Sequence, residues 1–85
     1  MKKVALITGA SAGIGKEFAK IHAEKGGDLI IVARRKDKLQ TLKEEIEKKY
    51  SNQVKIIAMD LSLADSPQKI YDIVKNEGIE VEYFS

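Results

Sequence analysis

The sequence predicts an open α/β fold: a parallel sheet of about four strands, in the order 3-2-1-4, with flanking helices. Three observations predict it. Short, continuous apolar runs alternate with amphipathic stretches at helical spacing along all 85 residues. The first two runs, Val4 to Ile7 and Leu29 to Ala33, lack the polar alternation of a half-exposed sheet, as expected of strands covered on both faces. Residues suited to ligand binding (glycines, an arginine, an aspartate) follow the first three runs directly.

Val4 to Ile7 is the first strand, and Thr8-Gly9-Ala10-Ser11-Ala12-Gly13-Ile14-Gly15 turns it into a helix. Ile14, Phe18 and Ile21 recur at helical spacing and predict the buried stripe of that helix, which Gly26-Gly27 ends. Leu29 to Ala33 is the second strand. Leu39, Leu42 and Ile46 stripe the second helix, with Glu44–Lys48 and Glu45–Lys49 at i,i+4 on its outer face. Val54 to Met59 is the third strand, ending at Asp60. Ser66-Pro67 then reads as an N-cap followed by proline at the first helical position. Ile70, Ile73 and Val74 form the third buried stripe, Gly78 closes it, and Ile79 to Phe84 is the fourth strand. Right-handed crossovers give the order 3-2-1-4 and place ligands beyond the carboxyl ends of the strands, where strands 1 and 4 diverge.

Composition narrows the function classes. A chain this short buries roughly 60–65% of the surface its unfolded state exposes, so it is one domain of modest stability. Hydrophobic residues make up 44% and charged residues 33%, the balance of a soluble globular protein. Lys and Arg number 15 against 13 Asp and Glu, a net charge of +2 that argues against nucleic acid or membrane as the main partner. Without cysteine there is no disulfide framework and no Cys-based metal site. Lys2-Lys3 before Val4-Ala5-Leu6-Ile7 faintly imitates a secretory leader, but an apolar run of four residues falls short of the ~7–15 a leader needs. A cytoplasmic protein is expected.

The glycine spacing G-x-x-x-G-x-G over residues 9–15 lets the chain turn tightly and opens a helix whose N-terminal N–H groups suit a phosphate. A tight strand-to-helix turn with no ligand would use the same glycines. A P-loop is excluded, because its first glycine would fall on Ala10 and its Mg²⁺-binding hydroxyl on Glu17. After the second strand comes Ala33-Arg34-Arg35-Lys36, with no carboxylate before Asp37. In dinucleotide sites an acid at this place serves the ribose of NAD, whereas an arginine suits the 2′-phosphate of NADP. Arg34 is the candidate for that phosphate and Arg35 for stacking on adenine. The bland alternative is a solvated basic turn.

T-G-A-S-A-G-I-G, V-A-R-R-x-x-K-L over residues 32–39, and Asp60-Leu61 together resemble the N-terminal half of the short-chain dehydrogenase/reductase family, over essentially the whole chain. The resemblance implies a partial Rossmann fold and an NADP(H) site. It places the cradle of Gly9, Ser11, Gly13, Ile14 and Gly15 at the pyrophosphate, Arg34 at the 2′-phosphate, and Asp60 with Leu61 against the adenine. It implies hydride transfer between NADP(H) and a carbonyl or alcohol in the full-length family. The family's Asn-Asn-Ala-Gly motif, catalytic Ser and Tyr-x-x-x-Lys are absent where required. Phe84-Ser85 stands where the Asn pair should fall, and Glu82 occupies a strand that should be apolar. Residues 1–85 therefore read as a truncated cofactor-binding half without catalytic residues, expected to be inactive alone.

Two decoys are set aside. Tyr71 and Lys75 spell Y-x-x-x-K, but they lie in the third helix without the accompanying serine, and Tyr71 is expected to be a partly buried helix residue. His22, the sole histidine, is expected to be semi-buried and hydrogen-bonded rather than a metal ligand. Two further readings compete with the cofactor half. One is a non-catalytic nucleotide-binding or interaction module, completed by a partner or a second copy at the open edge of strand 4. The other, a nucleic-acid binder using Arg34, Arg35, Lys36 and Lys38, lacks an aromatic platform.

Overall fold

The computed structural model describes residues 3–10 and 13–84. The elements follow in the order β1 (Val4–Thr8), α1 (Gly13–Glu24), β2 (Leu29–Ala33), α2 (Lys36–Lys49), β3 (Val54–Ala58), α3 (Ser66–Asn76) and β4 (Val81–Phe84). The four strands are parallel and ordered β3-β2-β1-β4, as predicted. β1 aligns with β2 from Ala5 opposite Leu29 to Thr8 opposite Val32. β2 aligns with β3 from Leu29 opposite Val54 to Ala33 opposite Ala58. The carboxyl ends of these three strands therefore share one edge of the sheet.

Alternate residues of β1 and β2 serve two cores, which is why their apolar runs are continuous. Ala5, Ile7, Leu29, Ile31 and Ala33 face the layer that holds Leu39, Leu42 and Ile46 of α2. Val4, Leu6, Ile30 and Val32 face the opposite layer, with Ile70 of α3. The change of layer between α2 and α3 is what carries β4 to the far side of β1. β3 stops one residue short of the expected Met59, whose N–H already donates to the Ala33 carbonyl at 2.9 Å. β4 begins at Val81 rather than Ile79, because the Ile79 N–H donates back to the Val74 carbonyl at 3.1 Å and finishes the end of α3.

The predicted stripe of α1 is wrong. Ile14, Phe18 and Ile21 are 88%, 39% and 50% exposed, and the buried residues are Ala19, His22 and Ala23. The physical reason lies at the start of the helix: a Cβ on Gly15 would come within 2.7 Å of the Gly9 carbonyl oxygen. A helix seated so close to the sheet presents small residues at i, i+4 and i+8, here Gly15, Ala19 and Ala23, and turns its large side chains outward.

Three further expectations need correction. The N-cap of α3 is Asp65, not Ser66, and Asp65 pairs with Lys69 at 3.1 Å instead of capping through its side chain. The expected pairs on α2 are replaced: Glu45 meets Lys20 of α1 at 3.6 Å, and Glu44 accepts from Gln40 at 3.4 Å. Tyr71 is 59% exposed, with the Lys75 ammonium 5.9 Å from its ring centroid, and both side chains line a hollow beside Ile70 and Val81. His22, expected to be semi-buried and hydrogen-bonded, is buried, and its Nε2–H donates to the Lys3 carbonyl at 2.6 Å, tying the end of α1 to the start of β1. No helix among the described residues is long and apolar enough to cross a membrane.

Candidate functional site

Two backbone hydrogen bonds draw the three strand-end loops together. The Ala10 N–H donates to the Val32 carbonyl at 3.3 Å, and the Met59 N–H to that of Ala33 at 2.9 Å. Between them lies an open cleft of about 340 Å³, lined by Gly9, Ala33, Arg34, Arg35, Met59, Asp60, Leu61 and Ser62. A larger hollow of about 510 Å³ runs along α2, lined by Lys20, Glu45, Ile46, Lys48, Lys49 and Tyr50. It contains no strand-end residue, so the smaller cleft is the candidate site.

The glycine turn is built as its spacing requires. Gly9 and Gly13 have φ of +67° and +59°, values that L side chains rarely adopt, and a Cβ on either would meet nothing within 4 Å among the described residues. Gly15, by contrast, is glycine because the helix start nearly touches the Gly9 backbone. Gly13 opens α1, whose first N–H groups have no partner within the helix. Ile14 is exposed one residue further on. Ser11 lies outside the described residues.

The charged rim is asymmetric. Arg34 is exposed at the end of β2 and makes no hydrogen bond or ion pair with another described residue. Arg35, equally exposed, is held by Asp37: Nε donates to Oδ1 at 3.1 Å and a terminal nitrogen donates to Oδ2 at 3.0 Å. That fork holds the Asp37 carboxyl below the usual carboxylate range and raises the guanidinium further.

Asp60 closes the opposite wall. Its Oδ1 accepts the Ser62 hydroxyl at 2.6 Å and the Ser62 N–H at 2.9 Å, and its carbonyl accepts the Ser66 hydroxyl at 2.5 Å. The Ser62 hydroxyl, then its N–H, hold the Asp60 carboxyl below its ordinary value, and the Arg34 charge adds to this. Leu61 is partly exposed beside it.

The structure thus brings Gly9, Arg34, Arg35, Asp60 and Leu61 into one cleft, with Gly13, Ile14 and Gly15 at the helix start beside it. Sequence reasoning missed Ser62, Met59 and Asp37. The signal for Ser62 is the spacing Asp60-x-Ser62, in which an aspartate accepts from the backbone two residues on.

With this geometry, the chain belongs to the short chain dehydrogenase family, a family of oxidoreductases whose model matches residues 3–83. It is 43% identical over 79 residues to a very-long-chain 3-oxoacyl-CoA reductase of Candida glabrata, covering 91% of this chain and 22% of that one. It is 37% identical over 71 residues to a 7beta-hydroxysteroid dehydrogenase of Mediterraneibacter gnavus, covering 84% of this chain and 27% of that protein. The chain therefore spans about a quarter or less of the length of these curated relatives. Among solved structures, an L-sorbose reductase of Gluconobacter frateurii complexed with NADPH and L-sorbose superposes with a TM-score of 0.89 at 28% identity. That match covers 98% of this chain and 32% of the reductase. An alcohol dehydrogenase of Thermococcus sibiricus complexed with 5-hydroxy-NADP gives 0.89 at 33% identity, covering 96% of this chain and 35% of that enzyme.

Proposed function

We propose that residues 1–85 form the NADP(H)-binding half of an oxidoreductase that transfers hydride between the cofactor and a carbonyl or alcohol. The observation that carries this reading is the unengaged Arg34 guanidinium at the end of β2, preceded by Ala33 instead of a carboxylate. A phosphate there would receive two parallel N–H donors, and nothing acidic at position 33 would repel it.

The remaining residues fit the rest of the dinucleotide. The turn at Gly9 and Gly13, at the start of α1, suits the pyrophosphate, with Ser11, Ile14 and Gly15 completing the cradle. Asp60 and Leu61 line the wall that would meet the adenine, and Arg35 offers a flat guanidinium for stacking. When bound, the nicotinamide supplies the hydride. This chain's residues bind and orient, and Tyr71 with Lys75 stands exposed on α3, outside the cleft.

NADPH fluorescence titration of the 85-residue chain tests the proposal. Saturable enhancement reversed by NADP⁺ is expected, with no NADPH consumption in the presence of ketones or aldehydes. A folded chain that leaves the fluorescence unchanged would refute cofactor binding. Turnover would refute the assignment of residues 1–85 to binding alone.

A second reading is favoured by a separate observation. β4 has no strand on its outer side among the described residues, and a hollow of about 370 Å³ beside it is lined by Leu6, Ile70, Val74, Ile79 and Val81 together with Pro67, Tyr71 and Lys75. That reading makes the chain an interaction module whose sheet a partner extends. Sedimentation separates the two: a well-folded monomer speaks against obligatory partnering.

A further inference from the structure

We infer that Asp37, which lies outside the cleft, sets the cleft's selectivity: it holds the Arg35 guanidinium, so that Arg34 alone meets a 2′-phosphate and Arg35 is left as a platform for the adenine. The inference rests on the NADP(H) reading of the cleft and adds to it the part played by a residue on α2.

The geometry points this way. Two adjacent arginines follow β2, and both line the cleft. Two neighbouring guanidiniums would be expected to share a phosphate, since each carries several donors and neither can lose its proton. Here they are treated differently. Arg35 spends Nε and one terminal nitrogen on the two oxygens of Asp37, at 3.1 and 3.0 Å. The backbone makes that fork easy to hold. Arg35 is the N-cap of α2, with φ −93° and ψ 102°, and Asp37 lies in the first helical turn, so helix formation fixes both ends of the pair. The carboxylate is also well placed at the positive end of the helix dipole.

Arg34 has no such partner among the described residues. The carboxylate across the cleft from it, Asp60, already accepts two hydrogen bonds from Ser62. One guanidinium is therefore paired with a carboxylate through two nitrogens, and the other is paired with no described residue. A fixed, planar, charge-compensated guanidinium suits a base face better than a phosphate.

The test compares the chain's affinity for 2′,5′-ADP with that for 5′-AMP, by calorimetry, in a set of variants checked for folding by circular dichroism. The ratio of the two affinities reports the 2′-phosphate. In the wild-type chain, Arg35→Ala is expected to weaken both ligands alike and leave the ratio unchanged. Asp37→Asn frees Arg35, and the ratio is expected to rise about two- to fivefold, the scale of an exposed ion pair. Arg35→Ala added to Asp37→Asn should cancel that rise, and Asp37→Glu should restore the wild-type ratio.

A rise that survives in the double variant would mean that Asp37 acts only through its own charge, and would overturn the inference. A fall in the ratio on Asp37→Asn would overturn it too, since Asp37 would then be aiming Arg35 at the phosphate. A wild-type ratio near one, unaffected by Arg34→Ala, would overturn the reading of the cleft itself and this inference with it. A high ratio that depends on Arg34 but not on Asp37 would sink only the inference.

Discussion

At the scale of single residues, the cleft depends on a few positions where one atom decides. Gly15 is the sharpest. A methyl group there would sit 2.7 Å from the backbone oxygen of Gly9, which has no flexible end to yield. Gly15→Ala is expected to lower stability by about 1–3 kcal/mol in denaturant unfolding, the cost of overpacking a tight site, and to distort the cradle. Gly27 is its counterpart at the other end of α1, where a Cβ would lie 2.0 Å from His22 Nε2. Gly27→Ala must push the ring from the Lys3 carbonyl, for a similar loss of about 1–2 kcal/mol. Asp60 offers a test without unfolding. Its folded pKa is depressed, so its contribution to stability is present above the unfolded carboxyl value and is lost as pH falls through the folded one. Ser62→Ala removes the leading cause of the depression, and a carboxyl NMR titration should show the Asp60 midpoint rising toward its ordinary value.

At the scale of elements, legibility tracked how directly the sequence expresses packing. β1 and β2 were readable because both of their faces are buried, which leaves an unbroken apolar run in each. α2 was readable because Leu39, Leu42 and Ile46 are large and face the core. α1 misled for the opposite reason: the tightness of its seat demands small residues, so its buried face of Ala19, His22 and Ala23 carries a weaker hydrophobic signal than the outward Ile14, Phe18 and Ile21. In the site, the glycines, Arg34 and Asp60 were legible as strand-end residues. The Ser62, Ser66 and Asp37 contacts were not, because short polar side chains bond to whatever the loop brings near. The two versions of α1 predict different mutants. Ala19→Leu should cost about 1–3 kcal/mol by overpacking, while Ile21→Ser should stay within about 0.5 kcal/mol of wild type. Paired urea unfolding curves decide between them.

At the scale of the whole molecule, the sheet order β3-β2-β1-β4 is what turns three separate sequence features into one cleft. Parallel strands in register put every loop that follows a strand on the same edge, and the change of layer at α3 opens a crevice beside β1. The central claim is that this edge binds a dinucleotide through its 2′-phosphate and that Arg34 is the residue that reads it. Calorimetric titration of the chain with NADPH and NADH, repeated on Arg34→Ala, tests that claim most directly. The account predicts preference for NADPH in the wild-type chain, a loss of about 1–3 kcal/mol of NADPH binding in the variant, and little change for NADH. Equal binding of the two cofactors, or a preference that survives Arg34→Ala in a folded chain, would contradict it.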